Sequence, residues 1–305
     1  VSGQIWLLFA GRLIPGFTGG NISIVMSAIA DISTKEAKTR NFGLVSMAFG
    51  LGFVMGPALG GILADNTVVS WFSYATPFWF TAALSVFNIL LLQWIFTETL
   101  VKKRASAINL STGYMNVKKA FSTPKLRGVF IVVILLSLGF TFFTQFFSVY
   151  LIDRFDYSVK EIGMLYGWIG VWLVITQGGI VRYLSYKFES EKILKYSLIA
   201  LGSAIILLLI PSDASWFYFI NPLIAIAQGI TSPNLTNVIS NFAGDDEQGE
   251  ILGINQSMQS LGRVLPPLIG GVILAINPFL PIISASLLVL LAWFIFVKLF
   301  GKKRI

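Results

Sequence analysis

The sequence contains neither cysteine nor histidine. Without cysteine there can be no disulfide bond or thiolate metal site, and without histidine there is no Ser-His-Asp triad and no histidine zinc ligand. Charged residues are scarce as well, because they make up 12% of the 305 positions, whereas soluble proteins carry about 25%. These absences exclude several enzyme classes and a water-soluble domain, and we expect no catalytic residues, no metal site and no cofactor.

Apolar residues dominate instead, with 55% hydrophobic and 14% aromatic positions. A helix needs about 20 predominantly apolar residues to cross a bilayer. Nine runs meet this requirement, near residues 5–31, 41–64, 75–96, 129–152, 162–184, 193–211, 216–241, 250–276 and 280–298. The sequence therefore predicts an all-α polytopic membrane protein with nine transmembrane helices.

The basic residues alternate between loops. Of the 22 Lys and Arg, 18 lie in every second loop, at the span ends beside these loops, or in the C-terminal tail. By the positive-inside rule this side is cytoplasmic, so we expect a multi-pass protein of the cell membrane with its C-terminus inside and residue 1 outside. The net charge of +8 is then a topology signal and does not indicate a nucleic-acid partner.

Two parts of the chain repeat each other. At an offset of 210 residues, the small residues of the second span match those of the eighth: Gly43, Gly52, Pro57, Gly60 and Gly61 fall on Gly253, Gly262, Pro267, Gly270 and Gly271. The preceding segments match at an offset of 213, where Asn21 falls on Asn234. Spans one to three therefore correspond to spans seven to nine and run in the same direction.

Spans four to six have no counterpart ahead of the first span. We therefore expect a twelve-helix protein with two six-helix halves, related by an axis along the membrane normal, from which helices one to three are absent. Residues 1–96 would be spans four to six of the N-terminal bundle. Residues 97–128 would form the central cytoplasmic loop, and residues 129–305 the complete C-terminal bundle.

Two motifs carry a family resemblance. The run from Gly11 to Gly16, which contains Arg12, resembles the fourth-helix arginine motif of the major facilitator superfamily, although Pro15 stands where glutamine is frequent. The run from Gly52 to Gly61 resembles the fifth-helix motif of its antiporters. The family's loop-two motif would lie in the absent segment, and its second-half echo at residues 178–188 lacks the Asp often found there.

This resemblance implies the twelve-helix, two-bundle major facilitator fold and a drug:proton antiporter of the tetracycline or multidrug efflux type. Such a protein exports amphiphilic drugs or similar small molecules by alternating access, with protons and the lipid bilayer as further partners, and we expect a monomer. The alternative is a major facilitator symporter for a sugar or another metabolite. A sugar carrier would show denser polar pairs and carboxylates on its cavity faces than this Gln- and aromatic-rich sequence does.

Arg263 lies at the centre of the eighth span, where a lone charge costs about 2.5 to 3.5 kcal/mol. Gln256 and Gln259 precede it by seven and four residues, so the three side chains form one helix face that should point to a cavity or a neighbouring helix. We expect Arg263 to have a functional role in transport as a charge-coupling residue, and a structural, hydrogen-bonding arginine is the alternative. Arg12 could pair with a carboxylate on the missing helices.

The resemblance also indicates which polar residues line the central cavity. They are Thr141 and Gln145, with Ser148, on the fourth span, and Asn21, Gln228 and Asn234 on the repeat-related pair of spans. Phe142, Tyr166, Trp168 and Trp172 could form apolar walls, although aromatic residues also lie at membrane interfaces or face lipid. Asp31, which ends the first span, would meet the loop-two motif as a charge-coupling residue, or it is an interfacial charge without a partner.

The stripe Gly52, Gly56 and Gly60 predicts a helix-packing surface, extended by Gly61 and kinked by Pro57; Pro267, Gly270 and Gly271 repeat it in the second half. No Asp or Glu lies deep in a span. Since a proton-coupled pump needs a titratable group that reaches both sides, that group lies on the missing helices or coupling differs.

Overall fold

The structure, a computed structural model, describes residues 11, 13, 21–34, 37–99, 115, 118, 121–122, 124–243 and 247–300. Within these ranges the regular structure is helical, as lipid requires, because an α-helix satisfies its backbone hydrogen bonds internally. The helices are α1 (Asn21–Asp31), α2 (Lys38–Ala64), α3 (Thr76–Ile95), α4 (Pro124–Phe155), α5 (Val159–Ile175), α6 (Val181–Lys187), α7 (Ser190–Leu207), α8 (Phe217–Ser240), α9 (Gln248–Ile276) and α10 (Leu280–Phe300).

Helices lie at the predicted positions, with ends that differ by a few residues, and the first part of the predicted span 5–31 lies outside the described residues. Five helical segments are long and apolar enough to cross a membrane: Thr76–Ile95, Leu126–Phe155, Glu161–Lys187, Gln248–Ile276 and Leu280–Phe300. The all-α membrane fold is therefore confirmed, and the count of nine spans stays a prediction.

The span predicted over 162–184 is not one regular helix. A π-helical segment, Thr176–Ile180, joins α5 to α6, and we call it the π turn. At the other end of α5, Ser158 and Glu161 form a capping box: the Ser158 side chain accepts from the Glu161 amide, and the Glu161 carboxylate accepts from the Ser158 amide. The span thus begins with a fixed cap and contains an irregular turn in its second half.

Helices α4 to α10 form one bundle with a continuous apolar core. Helix α4 packs against α9 and α10, and α7 packs against α8 and α10. Glycines permit the closest approaches: a Cβ on Gly139 would lie 2.7 Å from the carbonyl oxygen of Ala285. Tyr150 is buried in this core and donates a hydrogen bond to the carbonyl oxygen of Leu208 over 3.1 Å.

Helices α1 and α2 pack mainly against this bundle. Helix α2 contacts α5, the π turn, α6 and α8, while α1 contacts α9. Helix α3 contacts α2 and has no buried residue. The described chain therefore has an interface at which α1 and α2 meet the α4–α10 bundle.

Candidate functional site

The polar face predicted on α4 meets α5 through one tyrosine. The hydroxyl of Tyr166 lies 3.1 Å from the Ser148 hydroxyl and also donates to the carbonyl oxygen of Thr144 over 3.4 Å. Gln145 is exposed and Thr141 is half-buried. Two of the three predicted polar residues of α4 are thus accessible, and the third holds α5 in place.

The aromatic residues expected beside this face divide into two groups. Trp168 and Trp172 form an edge-to-face pair with ring centroids 5.8 Å apart, and the Trp168 indole donates to the carbonyl oxygen of Tyr218. Phe142 is only 2% exposed and belongs to the core. In this conformation Phe142 therefore does not form a cavity wall.

The structure brings Arg263 and Gln259 together on α9. A guanidinium nitrogen of Arg263 donates to Oε1 of Gln259 over 3.0 Å, one helical turn away. Gln256, one further turn back, is half-buried, whereas Arg263 is exposed. Among the described residues no carboxylate forms an ion pair with Arg263. The charge is therefore held by a neutral amide near the middle of the helix.

The residues predicted on α8 are less accessible. Asn234 has no exposed surface, and its amide nitrogen donates to the carbonyl oxygen of Ile230 within the same helix. Gln228 is half-buried, and its Oε1 has no hydrogen-bond partner among the described residues. In this conformation Asn234 does not line an open cavity. The side chains of Arg12 and Asn21 lie outside what the structure describes.

A buried polar contact joins the π turn to α8. Gln177 is 3% exposed, and its amide nitrogen donates to the carbonyl oxygen of Gly229 over 2.7 Å. Gly229 allows this approach, since a Cβ there would lie 2.9 Å from Cγ2 of Thr176. On the other side Gln177 faces α2, where a Cβ on Gly43 would lie 3.1 Å from its Oε1. The π turn is therefore the place where α2, α5 and α8 meet.

A second polar contact region holds the start of α2 against the bundle, and we call it the Lys38 cluster (Lys38, Thr39, Ser190, Asn237, Ser240 and Gln248). Lys38 is 8% exposed and donates to the Ser240 hydroxyl over 3.3 Å. Ser240 in turn donates to Oε1 of Gln248 over 2.6 Å. The end of the molecule at which these residues meet is called the basic end below.

The other members of the Lys38 cluster form a second bridge. The hydroxyl groups of Thr39 and Ser190 lie 3.0 Å apart, and the amide of Asn237 donates to Ser190 over 2.9 Å. The spans predicted from sequence leave Lys38 in the loop between 5–31 and 41–64, and this cluster was not predicted. The pattern that could have indicated it is weak, because single Ser, Thr and Asn residues at helix ends are common in any protein.

The two halves of the glycine repeat differ in their surroundings. A Cβ on Gly262 would lie 2.7 Å from the carbonyl oxygen of Ile134, and one on Gly270 would overlap the ring of Phe146, so both glycines pack on α4. Cβ atoms on Gly52, Gly56, Gly60, Gly61 and Gly271 would meet nothing within 4 Å among the described residues. Pro57 lies within α2, and Pro267 is an exposed residue within α9.

Asp31, at the end of α1, has a partner. Its carboxylate accepts a hydrogen bond from the Thr99 hydroxyl over 3.1 Å, and both residues flank the segment that contains α2 and α3. This contact rules out the alternative of an interfacial charge without a partner, and the charge-coupling role of Asp31 stays a prediction.

Comparison with known proteins identifies the family. The family model described as Major Facilitator Superfamily matches residues 1–267. The chain belongs to the major facilitator superfamily. This is a family of transporters, so the protein is not an enzyme, in agreement with the prediction from sequence.

Two curated relatives are resistance proteins. The quinolone resistance protein NorA of Staphylococcus aureus (strain COL) is 30% identical over 289 residues, covering 90% of this chain and 66% of NorA. The tetracycline resistance protein, class E, of Escherichia coli is 27% identical over 271 residues, covering 87% of this chain and 64% of the relative. The chain thus spans just under two thirds of the length of these relatives.

A solved structure shows the same fold. The crystal structure of the human organic anion transporter MFSD10 (TETRAN) superposes with a TM-score of 0.82 at 22% identity, covering 94% of this chain and 70% of that protein. At this identity the similarity establishes the fold, and it confirms the major facilitator architecture inferred from the repeat.

Proposed function

We propose that the full-length protein is a secondary active transporter of the cell membrane that exports amphiphilic drugs or similar small molecules in exchange for protons. The observation that carries this proposal is the similarity to two drug-resistance proteins over about nine tenths of the chain. Residues 1–96 and 129–305 would then belong to two bundles joined by residues 97–128, with the C-terminus in the cytoplasm and the protein acting as a monomer.

The contacts of α2 support alternating access. The contacts of α2 with α5 to α8 begin at Lys38 and extend to Gly50, where a Cβ would lie 3.2 Å from Cβ of Leu173. Cβ atoms on Gly52, Gly56 and Gly60 would meet nothing within 4 Å among the described residues. The two bundles would therefore be closed against each other at the basic end. Transport then requires that the Lys38 cluster separates when the bundles rock to the opposite state.

The polar residues suit an amphiphilic substrate. Gln145, Gln256 and Gln259 offer neutral hydrogen-bonding groups, and the Trp168–Trp172 pair offers an aromatic surface. Arg263 would act as the charged group of the cavity, since a cation near the middle of a transmembrane helix is retained where it faces water or a partner. Asn234, which is fully buried here, would become accessible as the bundles move, and Gln228 and Asn21 would line the same cavity. Arg12 and Asp31 would take part in charge coupling.

The test uses the full-length protein in liposomes with an imposed proton gradient. Uptake of a fluoroquinolone or a tetracycline into the acidic compartment should depend on the gradient and should stop when a protonophore is added. Arg263→Ala provides the matched inactive variant, and liposomes without protein correct for passive entry. Transport that continues unchanged after collapse of the gradient would remove proton antiport, and gradient-driven sugar uptake without drug transport would establish the symporter instead.

A further inference from the structure

A groove lies between α6, α7 and α8, with a volume of about 510 Å³. Its walls are apolar and include Leu184, Phe188, Ala200, Ala204 and Ala227. The three alanines create the space, because their side chains end at Cβ where longer ones would close the gap between α7 and α8. None of its lining residues among those described belongs to α1–α4, α9 or α10, so it is separate from the polar faces of α4 and α9.

The groove follows α7 for most of its length. Its lining residues on this helix extend from Lys192 to Leu207, which corresponds to about 22 Å at the 1.5 Å rise of an α-helix. The hydrocarbon core of a bilayer is about 30 Å thick, so one leaflet contributes about 15 Å. The groove is therefore long enough to hold one acyl chain over the full depth of a leaflet. Tyr196 and Leu223, which line it, are 61% and 49% exposed, so it opens outward.

One end of the groove carries a positive charge. Lys192 is the charged residue among its lining residues and lies in the first turn of α7, with its ammonium nitrogen 5.2 Å from the ring centroid of Phe188. The segment from Arg182 to Lys195 contains four basic and two acidic residues, the latter being Glu189 and Glu191. Basic pockets between transmembrane helices at the membrane surface bind the headgroups of anionic lipids.

We propose that this groove binds one anionic phospholipid, with its phosphate at Lys192 and an acyl chain along the alanine-lined wall. The apolar wall alone would accept the chain of any lipid, and the lysine at the headgroup level supplies the preference for negative charge. The bound lipid fills the space between α6, α7 and α8 and thereby stabilises the bundle. This site is distinct from the cavity proposed for the transported substrate.

The first test compares headgroups. The full-length protein is placed in nanodiscs of phosphatidylcholine alone or of phosphatidylcholine mixed with phosphatidylglycerol of the same acyl chains. Native mass spectrometry counts retained lipids, and thermal unfolding measures stability. Phosphatidylglycerol should be retained and should raise the melting temperature. Lys192→Gln should weaken its retention about fivefold, whereas Lys298→Gln, which removes the same charge at the end of α10, should leave it unchanged.

The second test fills the groove. Ala200 is exposed, so Ala200→Phe adds a ring inside the groove without disturbing the core and should abolish phosphatidylglycerol retention. Ala275→Phe adds the same ring at an exposed position outside the groove and should have no effect. Equal retention of the two lipids, or unchanged retention in either Lys192→Gln or Ala200→Phe, would overturn the proposal. Release of one bound phosphatidylglycerol for each molecule of transported drug that binds would also overturn it, because the two sites would then be the same.

Discussion

The ammonium group of Lys38, at the start of α2, donates a hydrogen bond to the hydroxyl of Ser240, the last residue of α8, over 3.3 Å. Both side chains are buried, at 8% and 0% exposure. The bond joins segments that are 202 residues apart in sequence. In the proposed alternating-access cycle it would link two units that have to separate, so its strength would affect how readily they do so.

Ser240→Ala should destabilise the closed basic end. The substitution removes one acceptor of Lys38 and the donor to Oε1 of Gln248. A hydrogen bond contributes about 1 kcal/mol, which corresponds to about fivefold in an equilibrium. A cysteine introduced at the buried Asn237 should react about fivefold faster with a maleimide in this variant. Ser185→Ala, whose hydroxyl bonds only within α6, is the control. An unchanged labelling rate would show that the bond does not limit opening.

Replacing Thr39 and Ser190 by cysteines should lock the basic end. Their hydroxyl oxygens lie 3.0 Å apart, so the two sulfur atoms would fall close enough to pair under oxidation. Since the 305 residues contain no cysteine, the introduced pair gives a clean signal within this part of the protein. Transport should stop on oxidation and return with a reductant, while each single variant remains active. Full transport by the cross-linked protein would contradict the alternating-access proposal.

Arg263→Ala should leave the protein inserted and folded but reduce transport at least tenfold, because the proposed substrate cavity would lose its charged group. Gln259→Ala should cause a smaller loss, since it removes a neutral amide that orients the guanidinium and leaves the positive charge in place. The loss in each variant is measured as the initial transport rate, normalised to the amount of protein in the membrane. Near-normal transport by Arg263→Ala would assign the residue a purely structural role.

Gly270→Leu should destabilise the bundle, whereas Gly271→Leu should not. A side chain at Gly270 would overlap the ring of Phe146 on α4. A Cβ at Gly271 would have no atom of another described residue within 4 Å. Overpacking typically costs about 1 to 3 kcal/mol. Thermal unfolding in the same detergent should show a lower melting temperature for the first variant only. Equal melting temperatures would show that α4 and α9 move apart without cost.

Asp213, between α7 and α8, should stabilise the protein in a pH-dependent way. Hydrogen bonds from Ser215 lower the pKa of its carboxyl group. A carboxyl whose folded-state pKa is lowered contributes stability above its unfolded pKa of about 3.9, and this contribution disappears as the pH falls through the folded-state value. Asp213→Ala should therefore melt at a lower temperature than the wild type near neutral pH, with the difference vanishing in acid. A difference that grows in acid would contradict this assignment.

Several features were accessible from sequence because they depend on local pattern. Apolar runs located the helices, and the 210-residue repeat paired α2 with α9. The spacing of Gln259 and Arg263 placed them one turn apart, where they bond. Each of these inferences needs only the period of an α-helix and the polarity of its solvent.

Other features depend on contacts between distant segments. The predicted spans leave Lys38 in a loop. Its burial was not predicted, because it depends on contact with Ser240, which no local sequence pattern connects to it. Phe142 was expected either beside a cavity or at an interfacial or lipid-facing position, and its place in the core was not predicted, since helix periodicity does not distinguish these surroundings. The groove along α7 was not found either, because it arises from alanines on two helices whose alignment only the packed bundle determines.

The π turn has a consequence for the register of the helix that follows it. A wider turn accommodates one additional residue, and one residue corresponds to a rotation of about 100° around an α-helix. Deleting Gly178 or Gly179 would restore a uniform ladder and rotate α6 by that angle. Val181, now fully buried near Gly43, would turn away from α2, and a neighbouring side chain would face it instead. Deleting one glycine here would thus change which face of α6 meets α2, although no other residue is replaced.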